Sequence, residues 1–174
     1  NHDTVWSGPP DASLRGVSDA ANSANSSSTA SPNESVWTFL GKTTDAYCSE
    51  DTSYYRWRRT FSVGELSAIV NARNDVGQVR GIELGDRGVS GRLKWVRIRS
   101  ETIYKELPIR RAFDNLPSAL FVVSESENGY TFIGGGRGHG VGMCQHGARG
   151  MAARGMNYRQ IVQHYFSGVR IERF

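Results

Sequence analysis

The chain has 174 residues, 38% hydrophobic and 10% aromatic, which suits one globular domain with a core of its own and excludes a disordered or collagen-like polymer. Its formal charge of +4 suits an anionic partner such as bacterial cell wall, nucleic acid or a membrane surface. No apolar run approaches the roughly 20 residues of a membrane helix, and two cysteines do not fix the redox compartment.

Residues 20–32 form a polar, low-complexity run of Ala, Asn, Ser and Thr ending at Pro32. Such a run cannot bury apolar area and reads as a flexible insertion exposed to proteases. Tyr54 to Phe61 alternates aromatics with Arg and reads as a strand. Ser62 caps a short helix, Val63 to Arg73, and Glu65 completes a capping box. Val79 to Leu84 and Leu93 to Arg99 alternate as strands around a hairpin loop, Asp86 to Gly91. Pro108 opens a short helix to about Asn115. Leu120 to Ser124 and Tyr130 to Ile133 are strands joined by the turn Glu127-Asn128-Gly129. Met143 to Arg154 reads as a helix stopped by Gly155, and Tyr158 to Phe166 as one stopped by Gly168. Val169 to Phe174 is a possible last strand. The expected class is α+β, with mostly antiparallel strands, short helices and a Gly-rich loop leading into a C-terminal helical pair.

That loop carries the strongest functional signal. Gly134 to Ala148 holds seven Gly, two His, one Cys and one Gln in fifteen residues. Dense Gly supplies positive φ or lets a ligand approach the main chain, and His and Cys serve proton transfer and metal ligation. A nucleotide reading of Gly138-His-Gly140-Val-Gly142 lacks its βαβ unit and the acidic residue that should follow. A sugar, by contrast, needs close backbone approach with amide and imidazole hydrogen bonds, which Gln145 and His146 can supply. His139 has a plainer alternative role, holding the loop through a backbone partner.

Gly136 through Ala148 resembles the G-x-G-H-G-V-G-M-[SC]-Q-x-G-A signature of the SpoIID/LytB family, the stage II sporulation protein D and amidase-enhancer proteins. Arg149 to Tyr158 and Ile161 to Gly168 resemble its following helix and its "I-x-x-HYY-x-G" ending. Upstream, Tyr47-Cys48, Tyr54 to Phe61, Asp3 to Trp6 and Leu14 to Asp19 resemble further family segments in the right order. The resemblance implies lytic transglycosylase action on peptidoglycan glycan strands and an extracytoplasmic bacterial location. It also implies a catalytic Glu on an N-terminal helix that this sequence lacks. Asp3, Glu65, Glu83, Glu101 and Glu106 match no catalytic position. Starting at Asn1 without Met, the chain reads as one SpoIID-like domain, 1–174, without its N-terminal part.

The resemblance implies a substrate-binding set of Arg137, Gly138, His139, Gly140, Gly142, Gln145 and His146, with Tyr165 as a candidate assisting residue. Helical spacing gives Tyr165 a second reading, core packing with Tyr158, Ile161, Val162 and Phe166. Cys48 and Cys144 have three open states: a disulfide, a zinc site with His146 and His139 or His2, or two free thiols. Arg56-Trp57-Arg58-Arg59 is either a half-buried strand with a solvated Arg face or a wall- or nucleic-acid-binding surface. Nothing else suggests a nucleic-acid fold. The expected function is glycan-strand binding, with cleavage when the missing segment supplies the acid/base Glu. The alternative is a non-catalytic peptidoglycan-binding module that activates a cell-wall amidase. Expected partners are the glycan strand, the missing N-terminal fragment or a second copy, and the amidase, with no nucleic acid and no transmembrane segment in this chain.

Overall fold

Two small antiparallel sheets share one apolar core in the computed structural model, which describes residues 11–14, 17, 32–42, 45–49, 52–88, 90–100 and 104–172. The first sheet has the order β1 (Trp57–Ser62), β6 (Gly129–Gly134), β5 (Phe121–Ser126). The second runs β2 (Gly81–Leu84), β3 (Val96–Arg99), β4 (Tyr104–Leu107). Phe121, Phe132 and Trp57 of the first sheet meet Val96 and Ile98 of the second, with Leu66 and Val70 of α3 (Val63–Asn71) and the buried Phe113. Glu125 on β5 joins the sheets by accepting the Ile82 N–H at 3.0 Å.

Period-two alternation gives the first sheet a second apolar face. Val122 and Ile133 point away from Phe121 and Phe132, towards Val36 and Leu40 of α1 (Pro32–Gly41). Arg87 fastens α1 there, donating to Asn33 Oδ1, the Gly91 carbonyl and the Phe121 carbonyl, each at 2.7 Å. Burial pulls this guanidinium down to about 10, so it stays charged at neutral pH. A third apolar cluster joins Met151 of α5 (Gln145–Ala153) to Ile161 and Tyr165 of α6 (Tyr158–Tyr165), with Tyr47 and Cys144 against it.

The class is α+β with antiparallel strands, and the Gly-rich loop does lead into a C-terminal helical pair. The Ser62–Glu65 capping box is present, and Asn157–Gln160 forms a second one at the head of α6. The β5–β6 turn ends at Gly129, and the β2–β3 pairing extends to an Arg87–Leu93 bridge.

Several boundaries differ from expectation. The strand from Tyr54 starts only at Trp57, because Thr52–Tyr55 is a helical turn, α2. The helix after Pro108 is one turn, α4 (Ile109–Ala112), since Asp114 and Asn115 turn the backbone to φ 51. The helix expected from Met143 begins at Gln145 because Cys144 is its extended N-cap. Among the described residues no strand follows Gly168: 169–172 is irregular and joins neither sheet, and Arg170 pairs with Glu172 at 3.7 Å. Residues 173–174 and 20–31 lie outside the described residues, while Pro32 opens α1. Helix α1 and strand β4 were not foreseen. Among the described residues, no helix is long and apolar enough to cross a membrane.

Helix α5 lies directly on the backbone of 46–49. A Cβ at Gly150 would overlap the Tyr47 carbonyl oxygen. Helix propensity alone favours Ala over Gly by about 1 kcal/mol. Overlap with a carbonyl that cannot rotate aside costs about 1–3 kcal/mol. Gly150→Ala is therefore expected to lower Tm by about 2–6 °C in a calorimetric scan; an unchanged or raised Tm would show that α5 does not press on Tyr47.

Arg154 closes the same contact from the end of α5, donating to Asp45 Oδ1 at 2.6 Å and Oδ2 at 3.3 Å. That hydrogen bond, more than the charge of Arg154, holds the Asp45 carboxyl below its ordinary value. A lowered carboxylate pKa stabilises above the unfolded value and ceases to do so as pH falls through the folded one. Amide exchange at 46–49 is expected to quicken, relative to the core, as pH drops below about 4. In Asp45→Asn the exchange should be faster already at pH 7, with that pH step gone.

Candidate functional site

The Gly-rich loop leaves β6 at Gly134 and enters α5 at Gln145. Alternate residues Gly136, Gly138, Gly140 and Gly142 take φ of 73, 87, 74 and 79. A side chain at any of the four would be strained, which explains the spacing of the glycines. The intervening positions, Arg137, His139 and Val141, carry the side chains.

Three anchors hold the loop to the core. The Trp57 indole N–H donates to the Gly136 carbonyl at 3.2 Å, and its ring fills the space where a Gly134 Cβ would be. The fully buried Ser118 hydroxyl donates to the Gly135 carbonyl at 2.7 Å and accepts the Leu120 N–H at 3.1 Å. The Gly138 N–H donates to the Pro117 carbonyl at 2.8 Å, and Ser118 and Gly138 form a parallel bridge. On the other side the Arg92 guanidinium lies against the loop, where a Gly140 Cβ would overlap it.

His139 is exposed on the loop, and its Nδ1 accepts the Val141 N–H at 3.1 Å. Neutral His139 therefore carries its proton on Nε2. Arg137 is exposed and stacks over the Tyr54 ring at 4.5 Å. Gln145 and His146 stand exposed in the first turn of α5. Gly138 and His139 line an open cavity of about 610 Å³ with Arg92, Lys94, Arg110 and Arg111. The loop thus gathers Arg137, Gly138, His139 and Gly140 at one edge of the core, with Gln145 and His146 one turn on. Gly142 instead faces Phe166, whose ring would lie 3.8 Å from a Cβ placed there.

Tyr165 lies elsewhere. It is 3% exposed in the C-terminal cluster, edge-on to His164 with ring centroids 4.8 Å apart. Of its expected packing partners, Ile161 is buried, whereas Tyr158 is 58% exposed.

The proposed metal set is not assembled. Among the described residues, no three His, Cys, Asp or Glu side chains converge to hold an ion, so Cys48, Cys144, His146 and His139 are not gathered into one cluster. Lone pairs of two of them serve the backbone instead: Cys144 Sγ accepts the Gly147 N–H at 3.3 Å, and His139 Nδ1 accepts that of Val141. The disulfide alternative is not realised either, for both cysteines are thiols. His2 lies outside the described residues.

Two of the conspicuous acids serve the fold. Glu65 accepts the Ser62 N–H at 2.8 Å, and exposed Glu83 pairs with Arg97 at 3.1 Å. Asp3 and Glu101 lie outside the described residues, as does the side chain of Glu106. The basic strand also divides. Arg56 donates to the Leu40, Phe39 and Tyr55 carbonyls and stacks on the Phe39 and Tyr55 rings, so it is structural. Arg58 and Arg59 are exposed and Trp57 is buried. Sequence reasoning missed Ser118 and Arg92. A Ser between Pro117 and a strand carries no distinctive signal, and neither does an Arg ending a hairpin loop.

Comparison with known proteins agrees with these motifs. Residues 1–142 match a family model described as "Domain of unknown function (DUF8618)". Stage II sporulation protein D of Bacillus amyloliquefaciens is 32% identical over 121 residues, 67% of this chain and 33% of that protein. An amidase enhancer of Bacillus subtilis is 37% identical over 54 residues, 31% of this chain and 8% of that protein. An uncharacterized protein of Brachyspira hyodysenteriae is 46% identical over 56 residues, 32% of this chain and 15% of that protein. The chain therefore spans a third or less of the length of these curated relatives. The chain belongs to the family described as a domain of unknown function (DUF8618) and is related to the SpoIID/LytB proteins.

Proposed function

We propose that this chain binds peptidoglycan glycan strands outside the bacterial cytoplasm, using the Gly-rich loop as one wall of the binding cleft. The observation that carries the reading is the loop itself: a backbone held at three points that presents His139 and bare glycine main chain beside an open cavity. Sugar rings need close main-chain approach and fixed polar groups, and pre-ordering the loop removes the entropy cost of arranging them on binding. Similarity to a sporulation protein D and to an amidase enhancer supports a role at the cell wall.

Cleavage of the strand belongs to the same proposal. Lytic cleavage needs one acid/base to protonate the leaving oxygen, while the sugar's own C6 hydroxyl closes an anhydro ring. A carboxyl with a raised pKa does this well. Among the described residues no carboxylate lines the cavity. On the SpoIID/LytB resemblance we assign the acid/base to a glutamate of an N-terminal segment or of a second polypeptide docked against this chain. The 37% identity to an amidase enhancer favours a second reading, in which the chain binds wall and stimulates an amidase without cleaving glycan itself.

Co-sedimentation with purified glycan strands tests the binding. The chain is expected to pellet with glycan, and Gly140→Ala, with a Cβ forced into Arg92 at φ 74, should bind at least about tenfold more weakly while keeping its near-UV dichroism. Equal binding by the variant would remove the loop from the contact. The isolated chain should release no anhydro-sugar products, and any turnover would overturn the assignment of the acid to another segment. Stimulation of an amidase by a protein that leaves glycan intact would favour the second reading.

A further inference from the structure

The cavity beside the Gly-rich loop has a charge that glycan contact alone does not require. Arg92, Lys94, Arg110 and Arg111 line it together, and among the described residues no acidic one does. Among the described residues none of the four makes an ion pair. Four like charges around one concavity repel each other, and a one-signed cleft concentrates its field on whatever enters.

The four are held in different ways. Arg110 is fixed through Nε, which donates to the Leu116 carbonyl at 2.8 Å. Asp114 and Asn115, both at φ 51, turn the chain that brings Leu116 round. Arg92 is wedged under Gly140, and its Nε is buried without a hydrogen-bond partner among the described residues. Lys94 and Arg111 are exposed at the mouth. A buried N–H with no acceptor is costly, and the planar guanidinium fork matches the two oxygens of a carboxylate or phosphate. Gly138 and His139 form the wall of the same cavity, so an anion there sits against the loop.

We propose that this cavity is an anion subsite, which takes a carboxylate or phosphate group carried by the polymer that the loop contacts. That the group belongs to a saccharide rests on the glycan-binding reading above; the affinity for an anion does not. The subsite would favour acidic over neutral saccharides and fix which sugar of the repeat lies beside His139.

Isothermal titration of the whole chain at low salt tests it, with three probes. They are a neutral N-acetylglucosamine oligomer, an oligosaccharide of equal length bearing a carboxylate on alternate sugars, and inorganic phosphate. The acidic oligosaccharide is expected to bind at least about tenfold tighter than the neutral one. The double variant Lys94→Gln/Arg111→Gln, confined to the exposed mouth, should bring that ratio to within about twofold of one and keep its thermal transition. Arg92→Gln should do the same, but it touches the loop and is read only beside the surface variant. Equal affinity for the two saccharides overturns the subsite and leaves the glycan reading standing. If neither saccharide binds but phosphate does, and the double variant abolishes it, the subsite stands and the glycan reading fails. Absence of binding to all three overturns both.

Discussion

Trp57 ties the loop to the core, and the arrangement of the site depends on it. Its ring packs on Phe121 at 6.2 Å between centroids and fills the notch left by Gly134. Its N–H then reaches out to the Gly136 carbonyl. A large aromatic contributes most of its stabilisation through burial, while one hydrogen bond adds about 1 kcal/mol. The bond matters chiefly for position. A loop with four positive-φ glycines has little intrinsic preference for one shape, and its shape comes from what it is fastened to. Ser118 fastens the same stretch from the β5 side, so β1 and β5 hold the loop from opposite flanks of β6.

That attachment explains how distant sequence becomes one site. β1 and β6 pair in register from Trp57–Gly134 to Ser62–Gly129, along the whole length of both strands. The β2–β3 hairpin contributes Arg92, and the one-turn helix α4 contributes Arg110 and Arg111. None of these segments is near the loop in sequence. A defect in the pairing of β1 with β6 would move Trp57, and through its bond to Gly136 the loop residues Gly138 and His139 that face the cavity.

Legibility followed the range of the interactions. The capping boxes, the β5–β6 turn and the helical pair depend on residues within a few positions of each other, and pattern alone revealed them apart from the Asn157–Gln160 box. The alternating glycines were visible as a functional signal, yet not as a fixed shape, since their anchors Trp57 and Ser118 lie far away in sequence. The cysteine and histidine set was legible only as ligand types: among the described residues its members do not converge, and Cys144 Sγ and His139 Nδ1 accept the N–H groups of Gly147 and Val141. Tyr165 carried two readings, and helical periodicity identified its packing while motif order did not. Helix α1 escaped notice because a polar run ahead of Pro32 masks a short amphipathic stretch whose buried residues are only Val36 and Leu40.

The cavity separates two jobs that one enzyme cleft must do. A carboxyl acid works with a raised pKa, which requires apolar or negative surroundings. Four cations would push that pKa down and hold the group ionised, unable to protonate a leaving oxygen. An acid/base placed among Arg92, Lys94, Arg110 and Arg111 would therefore be disabled by them. The same charges suit recognition of an anionic substituent, for which no proton needs to move. If the proposed reading holds, the electrostatics favour a cleft in which this chain grips and registers the polymer while the reacting bond lies away from the basic pocket.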